Sequence, residues 1–338
     1  MTHKTEKHAH PIARGLAAFA GLTLAVKAAW ILYSRHYNDH HAKLRGVLNA
    51  EQHTFDSPTA GKINFYVDKV GEGTPILILH GIHPTAGVQD VIPIFNAFKT
   101  HRPVYAINLP GFGGSEKSDR PYRPSLYQAA ITEFIRDQIG QATNVVAMGL
   151  SAEFTALAAI ENPELFNSLI LINPTGMQMP QSTGSITERS RWRDVQNLVY
   201  SLMAVPLWSL PLYDILASRV SVEQYYHNRL EYAVPSDLID LAYTSGHQPG
   251  AHFAPLVALS GKLYTPNVRE KVYAALKLPV MVLYDNEPNT HFEMLPFFVR
   301  EHTNWQALRV RQSRGMPHFD RPGETFRAMD LFWNKQSE

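Results

Sequence analysis

Short, uninterrupted apolar runs recur along the chain at Ile76-Leu77-Ile78-Leu79, Val104-Tyr105-Ala106-Ile107, Val145-Val146-Ala147-Met148 and Leu169-Ile170-Leu171-Ile172. Runs of this length without polar alternation suit parallel strands that are covered on both faces. Between them the apolar positions switch to helical spacing. The clearest case is Leu126 to Ile139, where Tyr127, Ile131, Phe134 and Ile135 share a face while Glu133, Arg136 and Asp137 fall elsewhere. Upstream, His53-Thr54-Phe55 and Lys62 to Val67 read as an antiparallel pair joined through Pro58-Thr59-Ala60-Gly61. The rhythm stops after Asn173-Pro174-Thr175-Gly176, and residues 177–275 read as helix and loop without a strand. Val280 to Tyr284 and Ala307 to Val310 resume it, and Phe326, Met329 and Trp333 sit at helical spacing in a closing helix. The pattern predicts an α/β fold: eight strands, mostly parallel, flanked by helices, with a helical lid at about 177–275 after strand six.

The N-terminus differs in kind. Lys4, Lys7 and Arg14 precede an apolar run from Gly15 to Tyr33, which only Lys27 interrupts. That length approaches the roughly 20 residues that cross a bilayer, and Trp30 and Tyr33 suit an interfacial position. The expected organisation is therefore a polar segment with an apolar helix over 1–45, followed by the α/β domain over 46–338. Residues 15–33 read as a single membrane anchor, as a signal peptide cleaved from a secreted or periplasmic protein, or as an interfacial or merely surface-packed helix. Proline and Asp214 in the stretch around Pro206 and Pro211 argue against a second span.

Composition narrows the chemistry. The 338-residue chain has no cysteine, which excludes disulfides, thiol nucleophiles and cysteine-based metal sites. Its formal net charge of +1 gives no reason to expect a nucleic-acid partner. No metal-binding spacing is present. Gly111, Gly113 and Gly114 miss the dinucleotide fingerprint because Glu116 stands where its third glycine belongs. No cofactor or metal is implied, and the expected partner is a small-molecule substrate.

Gly149-Leu150-Ser151-Ala152-Glu153 lies between an apolar strand and a small-residue helix. A serine on a sharp strand-to-helix turn presents its Oγ clear of the sheet. His80-Gly81 follows the third strand, Leu109-Pro110-Gly111-Phe112-Gly113-Gly114 the fourth, and Tyr284-Asp285-Asn286-Glu287 the seventh. His318 lies beyond the eighth strand in Arg314-Gly315-Met316-Pro317-His318. In this ordered set the chain resembles the α/β-hydrolase superfamily, capped serine hydrolases in particular, over about residues 52–336. The resemblance implies acyl transfer on an ester-like bond of an apolar acyl or aromatic substrate. Ser151 would be nucleophile, His318 base and Glu287 or Asp285 the acid, with the backbone amides of Ile82 and Ala152 as oxyanion hole. Carbon–carbon bond hydrolysis would use the same serine. Two features depart from the family pattern. Gly315 stands where many members carry the histidine, and Glu153 stands where a small residue is usual. They motivate a rival reading, a membrane-tethered binding protein that kept the fold without the catalysis.

Overall fold

The computed structural model describes residues 28–335, apart from 35, 37, 43, 45 and 180–185, and only the backbone of 186–191. The apolar run at 15–27 therefore lies outside the described residues. Eight strands form one sheet in the order β1-β2-β4-β3-β5-β6-β7-β8. They are β1 (Glu51–Ser57), β2 (Gly61–Asp68), β3 (Ile76–Leu79), β4 (Val104–Ile107), β5 (Thr143–Met148), β6 (Phe166–Ile172), β7 (Val280–Tyr284) and β8 (Trp305–Arg309). Strands β1, β2 and β4 pair antiparallel, and every pairing from β4 to β8 is parallel. This is the α/β-hydrolase fold. β8 starts two residues earlier than its apolar run suggests, because three of its five side chains are exposed and the run reports burial on one face only.

The continuous runs are explained by two cores, one on each face of the sheet. Leu77, Leu79, Val145 and Ala147 meet helices α3 (Pro124–Phe134) and α4 (Ser151–Glu161), and Tyr127 of α3 stacks on Phe154 of α4 at 4.6 Å. The alternate residues Ile76, Ile78, Val146 and Met148 join the opposite core, with Phe95 and Phe98 of α2 (Ile92–Phe98) and Phe332 and Trp333 of the closing helix (Pro322–Asn334). A two-residue period in which both faces are buried has no polar positions to spare.

Between β6 and β7 the chain forms α5 (Ile186–Met203), α6 (Ser209–Leu216), α7 (Arg219–Arg229), α8 (Ser236–Gly246), α9 (Phe253–Leu259) and α10 (Val268–Lys271). Polar ties fix this insertion to the sheet's carboxyl ends. Tyr213 Oη donates to the carbonyls of Pro84 and Gly246 at 2.7 and 2.9 Å. The Thr265 amide donates to Glu153 Oε2 at 2.7 Å.

The described end of the N-terminal apolar run is a short helix, α1, over residues 28–34. Rather than projecting from the body, it lies on the insertion. Trp30 Nε1 donates to the Pro211 carbonyl at 2.9 Å. Asp214, buried on α6, accepts from Ser34 Oγ at 2.5 Å, Asn38 Nδ2 at 2.8 Å and His40 Nε2 at 2.9 Å. Among the described residues no helix is long and apolar enough to cross a membrane.

Candidate functional site

Parallel strands deliver their following loops to one edge of the sheet, and in open α/β sheets that edge holds the ligand crevice. A cavity of about 640 Å³ lies there, with Ile82, His83, Gly149, Leu150, Glu153 and Gly315 in its wall. Tyr225, Arg229 and Tyr264 close it from the insertion.

The strand-to-helix turn carries a different residue from the expected one. β5 ends at Met148, and Gly149 follows it directly with φ +55°, in the left-handed region that disfavours side chains. Gly149 is thus the strained residue of the turn, the place at which this fold presents its nucleophile. A Cβ built there meets nothing within 4 Å, so the space for a nucleophilic side chain is open and unused. Ser151 is already the first residue of α4 and is fully buried. Its Oγ donates to the His80 carbonyl at 2.5 Å and takes no part in the cavity wall.

The remaining expected partners are also placed elsewhere. His318 Nε2 bonds the Asp90 backbone carbonyl at 2.7 Å, and its Nδ1 is buried without a partner. Burial pushes this imidazole down to about 4, and the ring is neutral. The structure does not join Ser151 to His318. The Ala152 amide points back to the Gly149 carbonyl at 3.3 Å inside the first turn. Among the described cavity-wall residues, Ile82 and Leu150, the residue after the turn, are two whose backbone amides find no acceptor in the protein. Asp285 takes Arg309 Nε at 2.8 Å and the Ser313 amide at 3.1 Å. Glu287 reaches the cavity but pairs with Arg229 Nη2 at 3.1 Å, not with a histidine.

Gly315 occupies the loop end where the resemblance places a histidine. Asn173 Nδ2 holds its carbonyl at 2.9 Å, and its amide donates to the Arg229 carbonyl at 2.9 Å. A Cβ on Gly315 would stand 2.9 Å from Arg229 Cγ, so the arginine from α7 fills the volume a base would need. Its guanidinium lies 4.0 Å over the Tyr225 ring. Tyr225 in turn stacks on His83 at 4.1 Å.

Two further polar groups stand on the wall, Glu153 and His83. Glu153 is buried, with Oε1 accepting from Thr175 Oγ1 at 2.5 Å in addition to the Thr265 amide on Oε2. Burial raises its pKa against those donors. His83 is also buried, and its Nε2 bonds Asp90 Oδ2 at 2.8 Å. Tyr226 Oη donates to the other oxygen, Oδ1, at 2.6 Å. Burial opposes ionisation of Asp90, but the His83 and Tyr226 contacts outweigh it and hold the carboxyl below its ordinary range. No spacing rule connects positions 83 and 90; a 3₁₀ turn at Val88–Val91 brings them together.

Residues 76–328 match the alpha/beta hydrolase family profile. Ethanol acetyltransferase 1 of Cyberlindnera jadinii is 27% identical over 106 residues, 31% of this chain and 31% of that protein. The chain thus spans about a third of the length of that curated relative. Among solved structures, a serine hydrolase involved in carbazole degradation matches with TM-score 0.64 at 15% identity, covering 84% of this chain and 99% of its own. A membrane phospholipase A matches with TM-score 0.65 at 16% identity, covering 97% of each chain. At these identities the structures speak for the fold, and the profile speaks for the family: this chain is a member of the alpha/beta hydrolase family.

Proposed function

We propose that this chain is a hydrolase that takes an ester-like carbonyl into the cavity beneath the insertion and cleaves it without a serine acyl-enzyme. One observation carries the reading. The Ile82 and Leu150 amides stand unengaged on the cavity wall, while the turn residue that would supply a nucleophile is Gly149. Two such donors stabilise a developing oxyanion whichever nucleophile attacks. A carboxylesterase-like route through Ser151, His318 and Glu287 lacks the hydrogen bonds it requires, and carbon–carbon cleavage through the same serine shares that lack. The test is hydrolysis of short 4-nitrophenyl esters by the full-length chain, alongside labelling with a fluorophosphonate. Turnover without labelling, unchanged in Ser151→Ala, is the expected result. Labelling that Ser151→Ala abolishes would restore the serine route.

A second reading has its own observation. Arg229 occupies the volume beside Gly315, and its pairing with Glu287 makes the site a polar cleft suited to holding a ligand. A protein inert toward all esters that still binds a substrate-like carboxylate in the cavity would be the non-catalytic member of the fold. For either reading we propose membrane association through residues 15–33, supported by the apolar run and by the full-length likeness to a membrane phospholipase A. Recovery of the intact full-length chain in the soluble fraction would overturn it, and a mature chain beginning near Ala29 would favour the cleaved signal.

A further inference from the structure

We propose that His83 is the general base of this site, that Asp90 and Tyr226 position it, and that its nucleophile is water in the space left open at Gly149. The inference rests on the hydrolytic reading above and names the group that would carry it. An ionised Asp90 can only accept, so when His83 acts as a base its ring proton sits on Nε2, which faces Asp90 at 2.8 Å. The lone pair is then on Nδ1, which makes no hydrogen bond within the protein and is not sealed from solvent. His83 lines the cavity one residue from Ile82, and Gly149, whose turn carries no side chain, lines the same cavity. The carboxylate behind the ring is itself held from two sides, by Tyr226 Oη on Oδ1 and by the Gly87 amide on Oδ2 at 3.5 Å. The ring plane is set by Tyr225, stacked at 4.1 Å with an interplanar angle of 18°. A base whose far nitrogen is fixed by a buried carboxylate is the working half of a catalytic triad. What this chain lacks is the side-chain nucleophile.

The step balances without a co-reactant. Water oxygen bonds to the acyl carbon, and its proton passes to His83 Nδ1. The carbonyl π pair moves onto the oxygen held by the Ile82 and Leu150 amides. Collapse of that intermediate breaks the acyl C–O bond, and the alkoxide leaves with the proton from His83. The products are a carboxylic acid and an alcohol. The titratable and charged groups around the base are Asp90 and His80 from its own side of the sheet, Tyr225, Tyr226 and Arg229 from α7, Glu287 beyond β7, and His318 on the Asp90 carbonyl.

Full-length protein and the variants His83→Gln, Asp90→Asn and Tyr226→Phe are compared on 4-nitrophenyl acetate and an unactivated alkyl acetate. Melting curves and circular dichroism are recorded in parallel. His83→Gln should lower kcat by 10²- to 10⁴-fold and remove the acid-side limb of the pH–rate profile, with partial rescue by added imidazole. Tyr226→Phe, a change of one hydroxyl, should shift that limb without removing it and so guards against an unfolded Asp90→Asn. Wild-type turnover that His83→Gln leaves intact would overturn the base assignment while the hydrolytic reading stands. A wild type that hydrolyses neither ester would overturn both. An acyl adduct on the chain, found by mass spectrometry during turnover, would overturn the water route.

Discussion

Gly149 and Gly315 each lack a side chain at a position where the family pattern offers chemistry. They differ in what replaces it. Gly149→Ser meets no neighbour, so its cost is conformational, about 1–2 kcal/mol for an L side chain in the left-handed region. Its urea midpoint should fall accordingly, and with His83 as base the new hydroxyl, standing in the space proposed for the water, should label with fluorophosphonate where wild type does not. Titration at single residues has a readable sign as well. His80 donates through Nδ1 to the Gly81 carbonyl at 2.6 Å and accepts from the Leu109 amide at 3.0 Å, so it is neutral. Burial lowers it and His318 from 6.5 to about 4. Each imidazole therefore contributes stability above pH 6.5 that is lost as pH falls toward 4, about 3 kcal/mol per ring. Glu153 runs the other way: with its folded pKa raised, its contribution is full below 4.5 and declines as pH rises. Glu153→Gln keeps an acceptor for Thr265 and removes that penalty. Urea midpoints from pH 4.5 to 8 should show this variant gaining on wild type toward the alkaline end. A constant offset would mean that Glu153 titrates alike in the folded and unfolded chain.

At the level of elements, α7 does most to decide the site, because it carries Tyr225, Tyr226 and Arg229 on one side. Gly315→His should be destabilising alone, since its Cβ stands 2.9 Å from Arg229 Cγ. Combined with Arg229→Ala, it should cost less than the sum of the two singles, with a coupling of about 0.5–3 kcal/mol measured by a double-mutant cycle. Additive losses would mean that the two positions do not compete for space. The sequence made the sheet readable because strands buried on both faces leave no alternation to misread. β3, β4 and β7 have the bounds their runs imply, whereas half-exposed β8 slid by two residues. The turn was less readable. A glycine, a serine and a small helix after an apolar strand fit two registers, and which residue is strained is a backbone angle rather than a letter. The signal was Gly149 itself, standing immediately after the last strand residue. His83 left no such trace, because its partnership with Asp90 depends on a 3₁₀ turn and on a tyrosine 136 positions away.

For the whole molecule, residues 28–42 belong to the insertion's foundation. Removing residues 1–45 would strip Asp214 of Ser34, Asn38 and His40 and leave a buried carboxylate without its donors. Such a truncation should keep the sheet, which begins at Glu51, yet raise amide exchange and protease cleavage in α6 and α8. Unchanged protection there would show that the leader is dispensable. The clamp should also loosen with alkalinity. His40 is raised above 6.5, chiefly by its hydrogen bond to Asp214, so its share of stability is full below 6.5 and is lost as pH rises through the folded value.

The Asp214 contacts also set an order of events. Ser34, Asn38 and His40 reach a residue 174–180 positions away, and the Ala42 carbonyl waits for Gln248, 206 positions away. Contacts of such range form late, since the loop they close must be paid for before they reward it. A growing chain will have exposed α1 and the whole of β1 to β6 long before the surface that α1 covers exists. The nascent protein must therefore carry α1 uncovered until the insertion has been made, and the state of α1 in that interval bears on how the insertion closes.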